Sequence, residues 1–154
     1  MYLKCLKMFV HALSTVATVN ESTIISRVYC LKSLGLSQEE VAIMISKVPT
    51  LLQLSEQLLG RKMEFLMEQA GCGKIDVVHN PTLLIYSMEK RLIPRCVVRK
   101  MLMSKGLPVA NKAFASFLQP SEKIFLEKFV IPYEHDIPGL GQAYADAYSG
   151  KTGV

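Results

Sequence analysis

Residues 88–112 carry seven basic side chains, Lys90, Arg91, Arg95, Arg99, Lys100, Lys105 and Lys112, opposed by the single acid Glu89. Arg91, Arg95 and Arg99 recur at i, i+4 and i+8, so a continuous helix lines them up as one narrow stripe. A guanidinium suits phosphate because its planar fork donates two hydrogen bonds at once. Such contacts position a protein on a nucleic-acid backbone without reading its bases. Beyond residue 120 the balance reverses, with Glu122, Glu127, Glu134, Asp136 and Asp146 outnumbering the lysines. A basic centre beside an acidic end is an electrostatic layout for an anionic partner. The candidate phosphate-binding residues are therefore Lys90, Arg91, Arg95, Arg99 and Lys100.

The competing explanation is a solvated face whose cations keep an apolar chain soluble. Two features of the sequence weigh against an open binding stripe. Leu92, Ile93, Cys96, Val97, Val98, Met101 and Leu102 surround the stripe with apolar surface. Pro94 lies inside the segment, where it either kinks the helix or marks its start.

Other chemistry is poorly represented. Cys5, Cys30, Cys72 and Cys96 stand far apart without a Cys-x-x-Cys pair, and His11, His79 and His135 are equally scattered, so no metal site is expected. Isolated cysteines on apolar helices are expected as buried thiols in a reducing compartment. Gly71-Cys72-Gly73-Lys74 lacks the glycine spacing and the preceding strand of a phosphate loop. No Ser/His/Asp or Cys/His set is tied by a local motif, so neither an enzyme nor a cofactor is expected. Arg61 shares its face with Glu64 and Glu68 and is expected to pair locally. Lys62 points nearer the apolar sector and is expected to snorkel along it. Tyr86 is read as core, His79 as a cap or surface group, and Lys74 and Asp76 as solvated.

The elements that must position the stripe are written as a repeat. Pro49-Thr50-Leu51-Leu52-Gln53-Leu54-Ser55 returns 32 positions later as Pro81-Thr82-Leu83-Leu84-Ile85-Tyr86-Ser87. Each proline ends a helix, the paired leucines anchor a turn, and Ser55 and Ser87 are N-caps for the next long helix. Gly35, Gly71 and Gly106 recur 36 and 35 residues apart, where a helix end wants a residue free to take positive φ. Self-similarity at this period signals stacked helical repeats. Within a unit, Leu59, Met63, Leu66 and Ala70 mark one apolar face, with Gln57, Arg61, Glu64 and Glu68 opposite. Ser37-Gln38-Glu39-Glu40 is a capping box for a short helix with Val41, Met44, Ile45 and Val48 inward. Ile24, Val28 and Leu31 mark the long helix before it. The unit reads long helix, glycine, short helix, proline, leucine turn. No alternation long enough for a strand is present.

Half of the 154 residues are hydrophobic and 20% are charged, with a formal net charge of +5. That balance suits an all-α short α-solenoid of about three repeats, in which neighbouring layers cover each helix. The apolar runs stay well below the roughly 18 residues a membrane span needs. Residues 1–20 hold Lys4 and Lys7 and no acid before the apolar run at Met8, Phe9 and Val10. Three readings of them are open: an organellar targeting segment, a signal peptide, or an incomplete first repeat. The register favours the repeat, because residues 20–36 align with 55–72 at an offset of 35 to 36. Residues 1–148 are then one repeat domain, residues 149–154 a frayed tail, and the chain a truncated or partial product. Gly139-x-Gly141 is also read as fraying.

The repeat resembles the mitochondrial transcription termination factor (mTERF) family, in its plant organellar branch. The resemblance is carried by Leu34-Gly35-Leu36-Ser37-Gln38-Glu39-Glu40-Val41, by Pro49-Thr50-Leu51-Leu52 with Leu54-Ser55, and by the run from Pro81 to Arg95. Phe117-Leu118, Ser121-Glu122-Lys123, Phe125-Leu126, Phe129-Val130 and Tyr133 are similar to the family's closing segment. The resemblance covers about residues 8–148. It implies a left-handed α-solenoid that binds nucleic acid along a basic face, without enzymatic activity. It implies a role in organellar transcription, its termination, RNA splicing or ribosome biogenesis, in the mitochondrion or the chloroplast. Complete members carry a targeting peptide and more repeats.

The leading expectation is a nucleic-acid-binding protein of organellar gene expression, with double-stranded DNA favoured and RNA possible. The sequence lacks the spaced aromatics of a single-strand stacking platform. The alternative is a truncated solenoid acting as a protein-interaction or self-association module through an N-terminal edge at Met8, Phe9 and Leu13, or a remnant without activity of its own. No membrane partner is expected.

Overall fold

The computed structural model describes residues 19–151, and the chain's own punctuation marks its elements. Asn20 accepts a hydrogen bond from the Thr23 amide at 2.9 Å and opens α1 (Glu21–Ser33). Gly35, at φ +96°, turns the chain out of that helix in a conformation that a Cβ would strain. Ser37 and Glu40 form the reciprocal capping box of α2 (Gln38–Lys47), with bonds of 3.1 and 2.8 Å. Pro49 starts a 3₁₀ turn, Pro49–Gln53, so the leucine phrase is itself a tight helix. Ser55 caps α3 (Glu56–Glu64), which widens into a π turn at Phe65–Gln69. After Gly71 and Gly73, α4 (Lys74–His79) leads to the second copy of the phrase, the 3₁₀ turn Pro81–Leu84.

Two compact units divide the chain. The first runs through Glu68 and takes up Cys72–Ile85. Its core matches the sequence periodicity closely: Ile24, Val28, Leu31, Val41, Met44, Ile45, Leu59, Met63 and Leu66 are buried. Gln57, Arg61, Glu64 and Glu68 are exposed on the opposite face of the third helix. Leu51, Leu52, Leu83 and Leu84 are all at most 1% exposed. The turn leucines are therefore full core members, each contributing about 1.5–3 kcal/mol by burial.

The second unit comprises Gln69–Gly71 and everything from Tyr86 onward. Ser87 caps a π turn, Met88–Leu92, that runs directly into α5 (Ile93–Ser104). Leu92 N bonds back five residues to Ser87 O at 2.9 Å. Pro94, in the first turn of α5, has no N–H to offer and its ring crowds the carbonyl four residues earlier. The widened turn immediately before it relieves that crowding, so the cations stay on one helical path.

The third repeat departs from the first two. Where a short helix stands in its predecessors, Pro108 imposes a 3₁₀ turn, Pro108–Asn111. Next come α6 (Phe114–Leu118) and α7 (Glu122–Phe125), the latter continued by the turns Leu126–Val130 and Ile131–Tyr133. Gly139-x-Gly141, expected to fray, instead starts a helix: Gly139 sits at φ +88° before α8 (Leu140–Tyr148). Leu140, Tyr144 and Ala147 bury one face of that helix, and α8 packs along α5. Its glycines and alanines weaken the hydrophobic signal while allowing close approach, which is why the sequence reading missed it. Ser149 and Gly150 close its C-terminus.

Among the described residues every regular element is helical. No helix there is long and apolar enough to cross a membrane. Residues 1–18 and 152–154 lie outside the description, and with them the incomplete first repeat and the edge at Met8, Phe9 and Leu13.

Candidate nucleic-acid interface

Each of the five candidate cations has a partner inside the second unit. Arg95 is only 2% exposed. Its Nη1 donates to the carbonyls of Phe117, Leu118 and Pro120 at 2.9, 3.2 and 2.7 Å. Those are the last carbonyls of α6 and of the turn after it, which no further helical turn satisfies. The guanidinium also lies 4.5 Å from the centroid of Phe125. Burial pushes its pKa down, as does neighbouring Arg91, yet arginine starts so high that it stays charged. The stripe therefore exists as a row on the helix, but its middle member caps a helix end instead of facing solvent.

Its neighbours are held more loosely. Arg91, half-buried, donates to Pro120 O at 3.4 Å and stacks 5.0 Å from the Tyr86 ring centroid. Arg99, also half-buried, donates to Ala70 O at 3.0 Å and to Lys112 O at 3.3 Å. Its Nε is buried and has no hydrogen-bond partner among the described residues, as is true of that of Arg95. The exposed Lys90 reaches Tyr148 O at 3.1 Å and lies 4.4 Å from that tyrosine's ring centroid. The exposed Lys100 reaches Gln69 Oε1 at 3.1 Å. Lys90 and Lys100 are thus the exposed members of the five, and Arg91 and Arg99 the half-buried ones.

Sequence reasoning missed a second pattern. Arg27 on α1 donates to Leu54 O at 2.5 Å, and Lys62 on α3 donates to Leu84 O at 3.0 Å. With Arg95 they form a set, one cation per long helix, each bound to a carbonyl at the end of a following 3₁₀ turn or short helix. Lys62, expected to snorkel, is 4% exposed and ends on that carbonyl. The spacings of 35 and 33 residues match the glycine and proline periods, so the signal was present in the sequence. Arg27 further pairs with Glu56 at 3.7 Å.

The remaining candidates also resolve. Asp76 is not idle in solvent: its Oδ2 accepts from Gly73 N at 2.8 Å and caps α4. Lys74 bridges to Glu40 at 3.4 Å and to Gly35 O at 3.3 Å. His79 is exposed, and its carbonyl accepts from Lys47. Cys72 and Cys96 are buried, and burial raises the Cys96 thiol pKa, which disfavours the nucleophilic thiolate. No cluster of metal-ligating side chains occurs among the described residues.

A row of aromatics supports this cationic face from beneath. Phe117 and Phe129 stack at 4.3 Å, Phe125 meets Phe129 and Tyr144 at 5.3 Å each, and Tyr144 meets Tyr148 at 6.1 Å. Phe114, Phe117, Phe125 and Phe129 are buried, so their faces are used for packing and for holding cations.

Comparison with known proteins agrees with this architecture. The mTERF family model matches residues 4–126. A relative, the mitochondrial transcription termination factor MTERF15 of Arabidopsis thaliana, is 27% identical over 107 residues, which is 70% of this chain and 24% of the relative. The match thus spans about a quarter of that protein's length. No solved structure matches. With its all-α repeat of long helix, glycine and proline-leucine turn, the chain belongs to the mTERF family.

Proposed function

We propose that this chain binds the phosphate backbone of nucleic acid and acts in organellar gene expression, in transcription termination or regulation or in RNA processing. Family membership carries the reading. The Arabidopsis relative's designation as a mitochondrial termination factor supports it and favours the mitochondrion over the chloroplast. Duplex DNA is the favoured target over RNA, since the second unit's phenylalanines are buried rather than offered for base stacking.

On this reading Lys90 and Lys100 make phosphate contacts, and Arg91 and Arg99 contribute their exposed edges. Arg95 acts beneath them, fixing the end of α6. Reversing Arg95 would place a carboxylate against three carbonyls, so it is unsuitable for testing binding. The test is fluorescence anisotropy against random duplex DNA, single-stranded DNA and structured RNA across a salt series. Lys90→Glu with Lys100→Glu is expected to flatten the log–log salt slope on duplex by about 0.9 per lost contact. Unchanged affinity and slope would remove this face from the interface. A folded sample that binds none of the three at low salt would end the nucleic-acid reading altogether.

A further inference from the structure

Two of the carbonyls that the arginines hold, those of Lys112 and Pro120, belong to residues that line an open groove in the second unit. It has a volume of about 510 Å³ and is lined by Lys112, Ser116, Gln119, Pro120, Lys128 and Phe129, among others. Arg91 and Arg95 both donate to Pro120 O, and Arg99 donates to Lys112 O. Three buried or half-buried guanidiniums thus fix the backbone of two groove-lining residues. Each guanidinium is engaged on internal carbonyls, while Lys112 and Lys128 themselves line the groove.

The lining has the chemistry of an anion site. Lys112 and Lys128 are exposed and supply two positive charges; Ser116 and Gln119, also exposed, supply a hydroxyl and an amide donor. Among the described residues no carboxylate lines it. Lys112 Nζ lies 5.9 Å from the Phe129 ring centroid, which biases the ammonium toward the groove's aromatic floor. Phe129 is itself fixed by its stack on Phe117. Among the described residues no carbonyl or carboxylate holds either ammonium, so neither must break such a bond to meet a ligand. In this they differ from all five cations of the stripe.

We infer that the Lys112–Lys128 groove is a phosphodiester-binding site, with Ser116 and Gln119 donating to the non-bridging oxygens. The inference rests on the nucleic-acid reading above and deepens it by assigning the principal contacts to a different set of residues. Arg91, Arg95 and Arg99 become positioning residues for the groove walls.

The experiment compares the full chain with two double variants, Lys112→Glu/Lys128→Glu and Lys90→Glu/Lys100→Glu, by anisotropy with duplex DNA and single-stranded DNA of random sequence. All four residues are exposed, and circular dichroism is expected to show unchanged helix content. Loss of two groove contacts should reduce the salt slope by about 1.8, so that raising salt from 50 to 200 mM weakens the groove variant about tenfold less than the parent. In a titration monitored by amide NMR shifts, Lys112, Ser116, Gln119 and Lys128 are expected to move first. If the parent binds and the groove variant matches it in affinity and slope, the groove assignment is overturned while the nucleic-acid reading stands. If the parent itself binds neither probe, both fail together.

Discussion

Arg95 shows how far a side chain's type can mislead about its task. Its spacing from Arg91 and Arg99 was legible, and so was the apolar company of Leu92, Cys96 and Val98. What the sequence could not show was that the end of α6, more than twenty residues away, brings three carbonyls to its guanidinium. Arg95→Met is expected to cost about 3 kcal/mol, because the carbonyls lose their donor in a dry setting. Urea unfolding monitored by circular dichroism measures this, and Lys105→Met, on an exposed residue, is the comparison expected to change little. Glu40 gives a second residue-scale expectation. Its bond from the Ser37 amide, and to a lesser degree nearby Lys74, hold its carboxyl below the usual range. A depressed folded pKa means the unfolded chain takes up the proton first. The contribution is therefore complete above the unfolded glutamate pKa and fades as pH falls through the folded one. Glu40→Gln should flatten the acid limb of a stability–pH profile; an identical limb in parent and variant would show that the box does not couple to pH.

The elements were largely readable because local rules and tertiary packing agree over the first two repeats. Ser37, Ser55 and Ser87 all cap, Gly35, Gly71 and Gly106 all take positive φ, and both proline phrases form the same 3₁₀ turn. Leu84→Ala is expected to cost about 2–5 kcal/mol although it sits in a turn, since that leucine is wholly buried. Ser37→Ala should cost about 1 kcal/mol. Thermal melts of the two variants would rank them, and a turn leucine milder than the cap would contradict its place in the core. Less legible were the short elements past residue 107. There Pro108 replaces a helix with a turn, and α8 carries a weak apolar signal that only its packing on α5 makes decisive.

At the scale of the whole molecule, the net charge of +5 mixes two populations that composition cannot separate. One is buried or half-buried on backbone carbonyls, at Arg27, Lys62 and Arg95; the other is exposed, at Lys90, Lys100, Lys112 and Lys128. Nucleic-acid affinity that depends on the second population should fall steeply with added salt. Stability that depends on the first should respond far less, because buried groups are screened weakly. Measuring melting temperature and duplex affinity over one salt series separates the two.

The carbonyl-bound cations also bear on how such a chain ages. Arg27, Lys62 and Arg95 serve the fold whether or not the chain meets a partner, so a copy released from any selection for binding would still lose stability on losing them. Lys112 and Lys128 have no such protection. In lineages where the chain has stopped meeting nucleic acid, those two lysines should drift to neutral or acidic residues while the inner three persist. The surface pair, rather than the prominent arginine row, is thus the place where disuse would first become visible.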